Sequence, residues 1–292
     1  MATLIIGNFD GVHLGHQGLI GCAREISPAS EVVAVTFDTH PATLTRNDAP
    51  PRLTSNAERE KLLIAAGVSR VESLETTEAL LRLTPEEFVA FLKTKFSITT
   101  VVEGADFRFG RGRRGDVNTL RAIGEREKFR TVVAKEVDVA LQDGTLVSAR
   151  SSMVRWLLAQ GRVADASRVL GRPHRVTGRV VAGQRRGREL GYPTANVAHC
   201  DVVLPADGIY AVGVEDAQGR LFKGAASLGS NPTFGDCPRT LEVHILQMPH
   251  DSDMYGQPIS IFFHRWLRGM MRFDSTEVLI AQIARDCAQV VA

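Results

Sequence analysis

Residues 31–37 read Glu-Val-Val-Ala-Val-Thr-Phe, an almost unbroken apolar and β-branched run. A strand of this composition has no polar face, so other elements must cover both of its faces. Helical patterns and further strand-like runs alternate along the chain after it, at 56–66, 85–93, 99–103, 116–125 and 130–139. Strands separated by helices predict a doubly wound parallel α/β sheet, whose ligands bind beyond the carboxyl ends of the strands.

A glycine-rich turn follows the first apolar run of the chain, and it reads Gly7-Asn8-Phe9-Asp10-Gly11-Val12-His13-Leu14-Gly15-His16. It precedes a helical pattern, and a helix N-terminus offers unpaired N–H groups and a positive dipole end to phosphate. With a helix that begins near Val12, His13 and His16 point to the same side of its first turn. The turn therefore predicts a nucleotide-phosphate site, or else histidines that cap the helix or bind zinc.

The composition excludes several classes of protein. The formal net charge of the 292 residues is +2, which gives no global field to attract nucleic acid or a membrane surface. The four cysteines form no CxxC pair, so neither a disulfide framework nor a zinc ribbon is expected. No signal peptide and no long apolar stretch are present, and we expect a cytoplasmic protein. The sequence does not set its oligomeric state.

The pattern changes after residue 174. Six short extended runs, broken by glycine, proline and asparagine, lie between 175 and 263, and an amphipathic helical pattern follows at 275–290. Evenly spaced short strands predict a C-terminal antiparallel β-barrel with a terminal helix. We place the domain boundary at the Leu170-Gly171-Arg172-Pro173 segment, which gives domains of 1–169 and 170–292.

Two more groups in the first half suit anions. Asp106 follows the run 99–103 and opens a loop rich in glycine and arginine. Ser151 and Ser152 open a helical pattern, where hydroxyls either cap the helix or bind phosphate, and Arg155 adds a planar guanidinium one turn later. Plain capping with a surface arginine is the alternative.

In the second half, a loop containing Gly183 and Arg188 can wrap nucleotide phosphates through its backbone N–H groups. Thr194 and Asn196 are two residues apart, so in a strand they face the same way and offer oxygen ligands of the kind that Mg²⁺ prefers. Glu242 is a carboxylate that can accept a proton from an alcohol. The alternatives are a turn at 193–196 and a solvated edge strand at 241–246.

These motifs, in this order, resemble those of the bacterial bifunctional riboflavin kinases/FAD synthetases. The first half carries the HxGH pattern of nucleotidyltransferases in its glycine-rich turn, and the second carries Gly191-Tyr-Pro-Thr-Ala-Asn196 and Leu241-Glu-Val-His-Ile-Leu246. The chain departs from the family pattern at Thr39 and in the segment Arg150-Ser-Ser-Met-Val-Arg155.

The resemblance implies two activities. The C-terminal barrel would phosphorylate riboflavin to FMN with ATP and Mg²⁺; Glu242 would be its base, Thr194 and Asn196 its metal ligands, Gly183 and Arg188 part of its ATP loop, and Arg268 a flavin contact. The N-terminal domain would transfer the adenylyl group of ATP to FMN, giving FAD and pyrophosphate. Its nucleotide site would comprise Gly7, Asn8, Phe9, Asp10, Gly11, His13, His16, Asp106, Ser151, Ser152 and Arg155, with His13 and His16 as the catalytic pair.

Two other functions are compatible with the motifs. One is a riboflavin kinase whose first domain binds nucleotide but has lost catalysis through the departures at Thr39 and Arg150. The other is a flavin-sensing regulator, for which the local arginine clusters are the only support.

Overall fold

The structure is a computed structural model that describes residues 1–45, 49–183, 187, 190–198, 200, 202–230, 239–248 and 254–291. The chain forms two compact units. The first comprises Met1–Val139 and Leu146–Arg150, and the second comprises Ala140–Thr145 and Ser151–Ala292. The expected boundary at 169/170 falls inside the second unit, so it stays a prediction about where the activities divide.

The first unit is built on a five-stranded sheet in the order β3-β2-β1-β4-β5, and all of its strand pairs are parallel. The strands are β1 (Ala2–Ile6), β2 (Glu31–Phe37), β3 (Arg70–Leu74), β4 (Ile98–Gly104) and β5 (Arg130–Ala134). The chain leaves β1 in one direction to build β2 and β3 and in the other to build β4 and β5. The predicted doubly wound sheet is therefore confirmed, and its switch point lies between β1 and β4.

Both faces of this sheet are covered, as the run 31–37 requires. Val33 and Val35 of β2 belong to one buried cluster with Phe88 and Leu120, and Val32 and Ala34 belong to another with Ile20 and Leu63. The covering helices are α1 (Leu14–Ile26), α2 (Ala42–Thr45), α3 (Asn56–Ala65), α4 (Glu78–Arg82), α5 (Pro85–Lys95) and α6 (Val117–Glu127), with a 3₁₀ turn at Arg111–Arg113. Thr84 and Glu87 form a capping box at α5, and Asp116 caps α6.

The prediction of one strand over 130–139 is wrong. β5 ends at Ala134, and residues after it enter a two-stranded hairpin of β6 (Asp138–Ala140) and β7 (Leu146–Ser148). Lys135 and Glu136, both exposed, and Val137 separate the two elements. Strand β3 was not expected either, since its polar residues mask the alternation of a strand at the edge of a sheet.

The second unit begins with α7 (Ser151–Ala159) and α8 (Val163–Leu170) and continues as a closed antiparallel barrel. Its six strands are β8 (His174–Val181), β9 (Thr194–Ala198), β10 (Gly208–Glu215), β11 (Leu221–Gly229), β12 (Thr240–Ile245) and β13 (Pro258–Arg268), and α9 (Thr276–Val291) ends the chain. The order around the barrel is β10-β11-β12-β9-β8-β13, and pairing of β13 with β10 closes it. The predicted barrel with a terminal helix is confirmed. Among the described residues, no helix combines the length and apolar character that a membrane span requires.

Candidate active sites

The glycine-rich turn of the first unit lies beyond the carboxyl end of β1, at the switch point of the sheet. Phe9, Gly11 and Val12 all have positive φ values, of 47°, 84° and 39°. A positive φ is energetically unfavourable for a β-branched residue such as Val12. Such strain is typical of functional sites that their surroundings hold in place. The helix begins at Leu14, two residues later than expected, with His13 as its N-cap.

The two histidines of the turn lie on the same side, as predicted. Their rings stack with centroids 3.6 Å apart, and the ring of Phe9 contacts His16 edge-on at 5.2 Å. The Nδ1 atom of His13 accepts the backbone N–H of His16 at 3.4 Å. In the neutral ring the proton of His13 is therefore on Nε2, which makes that atom a hydrogen-bond donor.

Gly15 allows a close approach of backbone to backbone. A Cβ atom at this position would overlap the carbonyl oxygen of Ala149 and would lie 3.1 Å from the ring of His13. Ala149 is held there because its N–H donates to the carbonyl of Val137 at 2.8 Å. Steric overlap therefore explains why the HxGH pattern has a glycine at this position of the chain.

Asp10 fastens the turn to a neighbouring segment. Its carboxylate is 8% exposed and accepts the backbone N–H groups of Leu53 and Thr54 at 3.0 and 3.1 Å. The hydroxyl of Thr54 in turn accepts the N–H of Gly11 at 3.2 Å. These bonds give Asp10 a structural role, and direct contact of Asp10 with nucleotide stays a prediction.

The other predicted residues of the turn are placed by the sheet and by one unexpected arginine. The N–H of Gly7 donates to the carbonyl of Val35 at 3.0 Å. Arg59 of α3, 9% exposed, donates to the carbonyls of Asn8 at 3.1 Å and Phe37 at 2.7 Å. It thereby ties the carboxyl ends of β1 and β2, and burial lowers the pKa of its guanidinium. Nothing in the sequence distinguishes Arg59 from a surface arginine.

The carboxyl end of β4 carries a second buried ionisable side chain that the sequence did not reveal. Glu103 is 2% exposed, and its carboxylate accepts the N–H of Ile6 at 2.6 Å. Burial raises the pKa of Glu103 well above its ordinary value. Asp106, two residues beyond the strand, has an exposed side chain that lies 3.7 Å from Arg150. Arg150 also pairs with Glu136 at 2.7 Å.

Ser151, Ser152 and Arg155 lie in the first turns of α7, where a helix start was expected. Helix α7 belongs to the second unit, although Ser151 directly follows Arg150 in the chain. Participation of these three residues in the phosphate site of the first unit stays a prediction.

The second unit contains a cavity of about 610 Å³ at the barrel wall. Five of the predicted residues line it, namely Gly183, Thr194, Asn196, Glu242 and Arg268. Arg188 lies outside the described residues. Apolar side chains that include Met270, Phe273 and Leu279 complete the wall.

Strand pairing brings the polar residues of this cavity together. In the ladder between β12 and β9, Glu242 is opposite Asn196 and His244 is opposite Thr194. The hydroxyl of Thr194 donates to Oε2 of Glu242 at 3.3 Å, and the hydroxyl of Thr240 donates to Oε1 at 3.4 Å. The strand periodicity that placed Thr194 and Asn196 together is thus confirmed.

The donors in this cluster fit Mg²⁺, which favours a single carboxylate with neutral oxygens and substrate phosphates over a cage of charged side chains. The described part of the chain has no group of three or more His, Cys, Asp or Glu residues that could hold a metal ion. Gly183 lies against Asn196, and a Cβ atom at Gly183 would overlap its amide. Gly183 therefore lies directly against the side-chain amide of Asn196.

Arg268 is engaged by a partner that lies 18 residues later in α9. Its guanidinium forms a bidentate pair with Asp286, with contacts of 2.7 and 3.1 Å, and lies 5.6 Å from the ring centroid of Phe273. Asp286 is 3% exposed and also accepts from Gln282. The arginine lines the cavity as a fixed wall residue, because its guanidinium is already bound.

Comparisons with known proteins also divide the chain into an N-terminal and a C-terminal part. Residues 1–150 match the family model described as FAD synthetase, and residues 170–292 match the one described as Riboflavin kinase. The bifunctional riboflavin kinase/FMN adenylyltransferase of Escherichia coli (strain K12) is 36% identical over 97% of this chain and 90% of that protein. The protein of the same name from Pseudomonas fluorescens is 37% identical over 97% of this chain and 90% of its own.

Among solved structures, one described as a macrolide-efflux protein from Streptococcus pneumoniae superposes with a TM-score of 0.87 and 29% identity. It covers 98% of this chain and 93% of that one. The similarity therefore extends over both units in sequence and in structure.

Proposed function

This chain belongs to the bifunctional riboflavin kinase/FMN adenylyltransferase family, and from that premise we propose that it makes FAD from riboflavin in two ATP-dependent steps. The proposal rests on one observation: the chain forms two compact units, and a different family model, one for each activity, matches each half of the chain. Residues 170–292 would phosphorylate riboflavin to FMN, and residues 1–169 would adenylylate FMN. The four widely spaced cysteines, which form no CxxC pair, suit a reducing cytoplasm.

In the kinase step, Glu242 accepts the proton of the ribityl 5′-hydroxyl as that hydroxyl oxygen attacks the γ-phosphorus of ATP and ADP leaves. The hydrogen bond from Thr194 to Glu242 orients the carboxylate toward the cavity. Thr194 and Asn196 would hold Mg²⁺, which would neutralise charge on the phosphates. Gly183 and Arg188 would contact the ATP phosphates, and Arg268 with its apolar neighbours would form the flavin side of the cavity.

In the adenylyl step, the phosphate of FMN attacks the α-phosphorus of ATP and pyrophosphate leaves. Such a transfer asks the protein to hold donor and acceptor in line and to stabilise developing charge. His13 donates from Nε2 and His16 lies stacked beside it, at the N-terminus of α1, whose dipole favours anions. Gly7, Asn8, Phe9, Asp10 and Gly11 shape the turn around the phosphates, Asp106 contacts the nucleotide, and Ser151, Ser152 and Arg155 stabilise the pyrophosphate.

The test is to incubate the purified protein with riboflavin, ATP and Mg²⁺ and to separate the flavins by chromatography. The proposal expects riboflavin to be consumed, FMN to appear first and FAD to accumulate. FMN without FAD would leave only the kinase half of the proposal. Unchanged riboflavin would overturn it and favour a flavin-sensing regulator.

A further inference from the structure

His244 makes a hydrogen bond that the proposed chemistry does not yet use. Its Nδ1 atom lies 2.8 Å from the carbonyl oxygen of Pro193, the residue immediately before Thr194. The ring also contacts Tyr192, with centroids 5.3 Å apart and planes at 75°. His244 lines the same cavity as Thr194 and Glu242.

The carbonyl oxygen of Pro193 determines which ring nitrogen of His244 carries the proton. A carbonyl oxygen can only accept, so Nδ1 of His244 must carry the hydrogen of the bond. In the neutral ring this leaves the lone pair on Nε2, opposite to the tautomer inferred for His13. The bond therefore specifies both the orientation of the His244 ring and its tautomer.

The position of the bond explains why it matters. The ladder between β12 and β9 runs from Leu241↔Val197 to His244↔Thr194, and this last rung is where β9 begins. Pro193 has no N–H, so its carbonyl is the group through which the entry to β9 can be fastened. The imidazole of His244 fastens it one residue beyond the final rung, beside the Thr194 hydroxyl that bonds Glu242.

We infer that His244 is a positioning residue of the kinase site, which holds the Pro193–Thr194 peptide so that the Thr194 hydroxyl faces both Glu242 and the bound Mg²⁺. The inference rests on the proposed kinase function. Residues that orient metal ligands from outside the coordination sphere typically change metal affinity or activity about 10- to 100-fold when they are lost.

A matched set of variants separates the hydrogen bond from the packing. Asparagine carries its amide near the position of Nδ1, so His244→Asn keeps a donor for Pro193. Glutamine places its amide near Nε2, so His244→Gln loses that donor, and His244→Phe loses it while keeping a ring against Tyr192. We expect the Mg²⁺ concentration for half-maximal FMN formation to rise roughly 10-fold or more in the Gln and Phe variants. It should stay close to the wild-type value in His244→Asn, and adenylyl transfer to supplied FMN should be unchanged in all three.

A second measurement does not depend on activity. In ¹⁵N-labelled wild-type protein in mildly alkaline buffer, NMR should show the His244 ring as the Nδ1–H tautomer, with the resonance assigned by its absence in one variant. An Nε2–H tautomer, or an unchanged Mg²⁺ dependence in a folded His244→Phe, would overturn the inference. A wild-type protein that shows the Nδ1–H tautomer of His244 but forms no FMN would instead overturn the proposed function.

Discussion

Glu103 and Ile6 are joined by a hydrogen bond of 2.6 Å from the backbone N–H of Ile6 to the Glu103 carboxylate, at the carboxyl ends of β4 and β1. The backbone register between these strands runs only as far as Leu4↔Val101. A side chain thus takes over where pairing stops, at the point where a doubly wound sheet opens to admit its ligand.

The burial of Glu103 makes stability depend on pH. Burial raises the pKa of Glu103 above its ordinary value of 4.5, because the buried site disfavours the charged form. The native state then holds a proton that the unfolded state releases. The stabilisation is fully present below 4.5 and is lost as pH rises through the folded pKa, with a slope of at most about 1.4 kcal/mol per pH unit.

Glu103→Gln should remove that slope, since the amide oxygen still accepts the Ile6 N–H but cannot ionise. The measurement is urea unfolding of both proteins in acidic and alkaline buffers. We expect the free energy of unfolding of the variant to increase relative to that of the wild type as the pH increases. Parallel pH profiles for the two proteins would show that Glu103 is not the group responsible.

Gly15→Ala should damage the phosphate-binding turn, because its Cβ atom would overlap the carbonyl oxygen of Ala149. Overpacking of this kind costs about 1–3 kcal/mol. Gly21 on the same helix has open space around its missing Cβ, so Gly21→Ala should instead stabilise by roughly 0.5–1 kcal/mol through helix propensity. The melting temperatures of the two variants should shift in opposite directions, and FAD formation should fall only in Gly15→Ala. Equal losses in both variants would contradict the steric argument.

His16→Ala should lower adenylyl transfer by about 100-fold, the typical cost of removing one preorganised donor from a transition state. FMN formation from riboflavin should continue at the wild-type rate. Glu25→Ala, an exposed position on the same helix, is the control for damage to α1. The readout is the ratio of FAD to FMN in a time course, and loss of both products in a folded His16→Ala would refute two separate sites.

Glu242→Gln should have the opposite effect. Removing a general base typically costs about 10²- to 10⁴-fold, so riboflavin should accumulate while supplied FMN is still converted to FAD. Glu215→Gln on β10 removes a half-exposed carboxylate that pairs with Arg175 at 3.4 Å, and it should leave both rates unchanged. A Glu242→Gln enzyme that keeps its kinase rate would exclude Glu242 as the base.

Periodic features of the chain were predictable from the sequence because they are local. The apolar run at 31–37 required a sheet covered on both faces, and the alternation at 241–246 placed Glu242 on a strand face. The spacing of His13 and His16 likewise set their common side, which the stacked rings confirm.

Buried ionisable side chains were not predictable, for a physical reason. Arg59 and Glu103 bond to backbone groups of Asn8, Phe37 and Ile6, and every residue offers such groups, so no side-chain pattern marks them. The pair of Arg268 and Asp286 joins two elements whose approach depends on the closed barrel. Such contacts appear only when the fold is complete.

The hairpin of β6 and β7 has a consequence for how this chain could have been assembled. The chain passes from one unit to the other after Val139, after Thr145 and after Arg150, so no single cut in a gene separates the two units. A fragment beginning at residue 151 would lack the N–H of Gln142 that the buried Asp165 accepts at 2.7 Å. Recombination at a single breakpoint would therefore remove part of one unit. The two activities are thus expected to be inherited together.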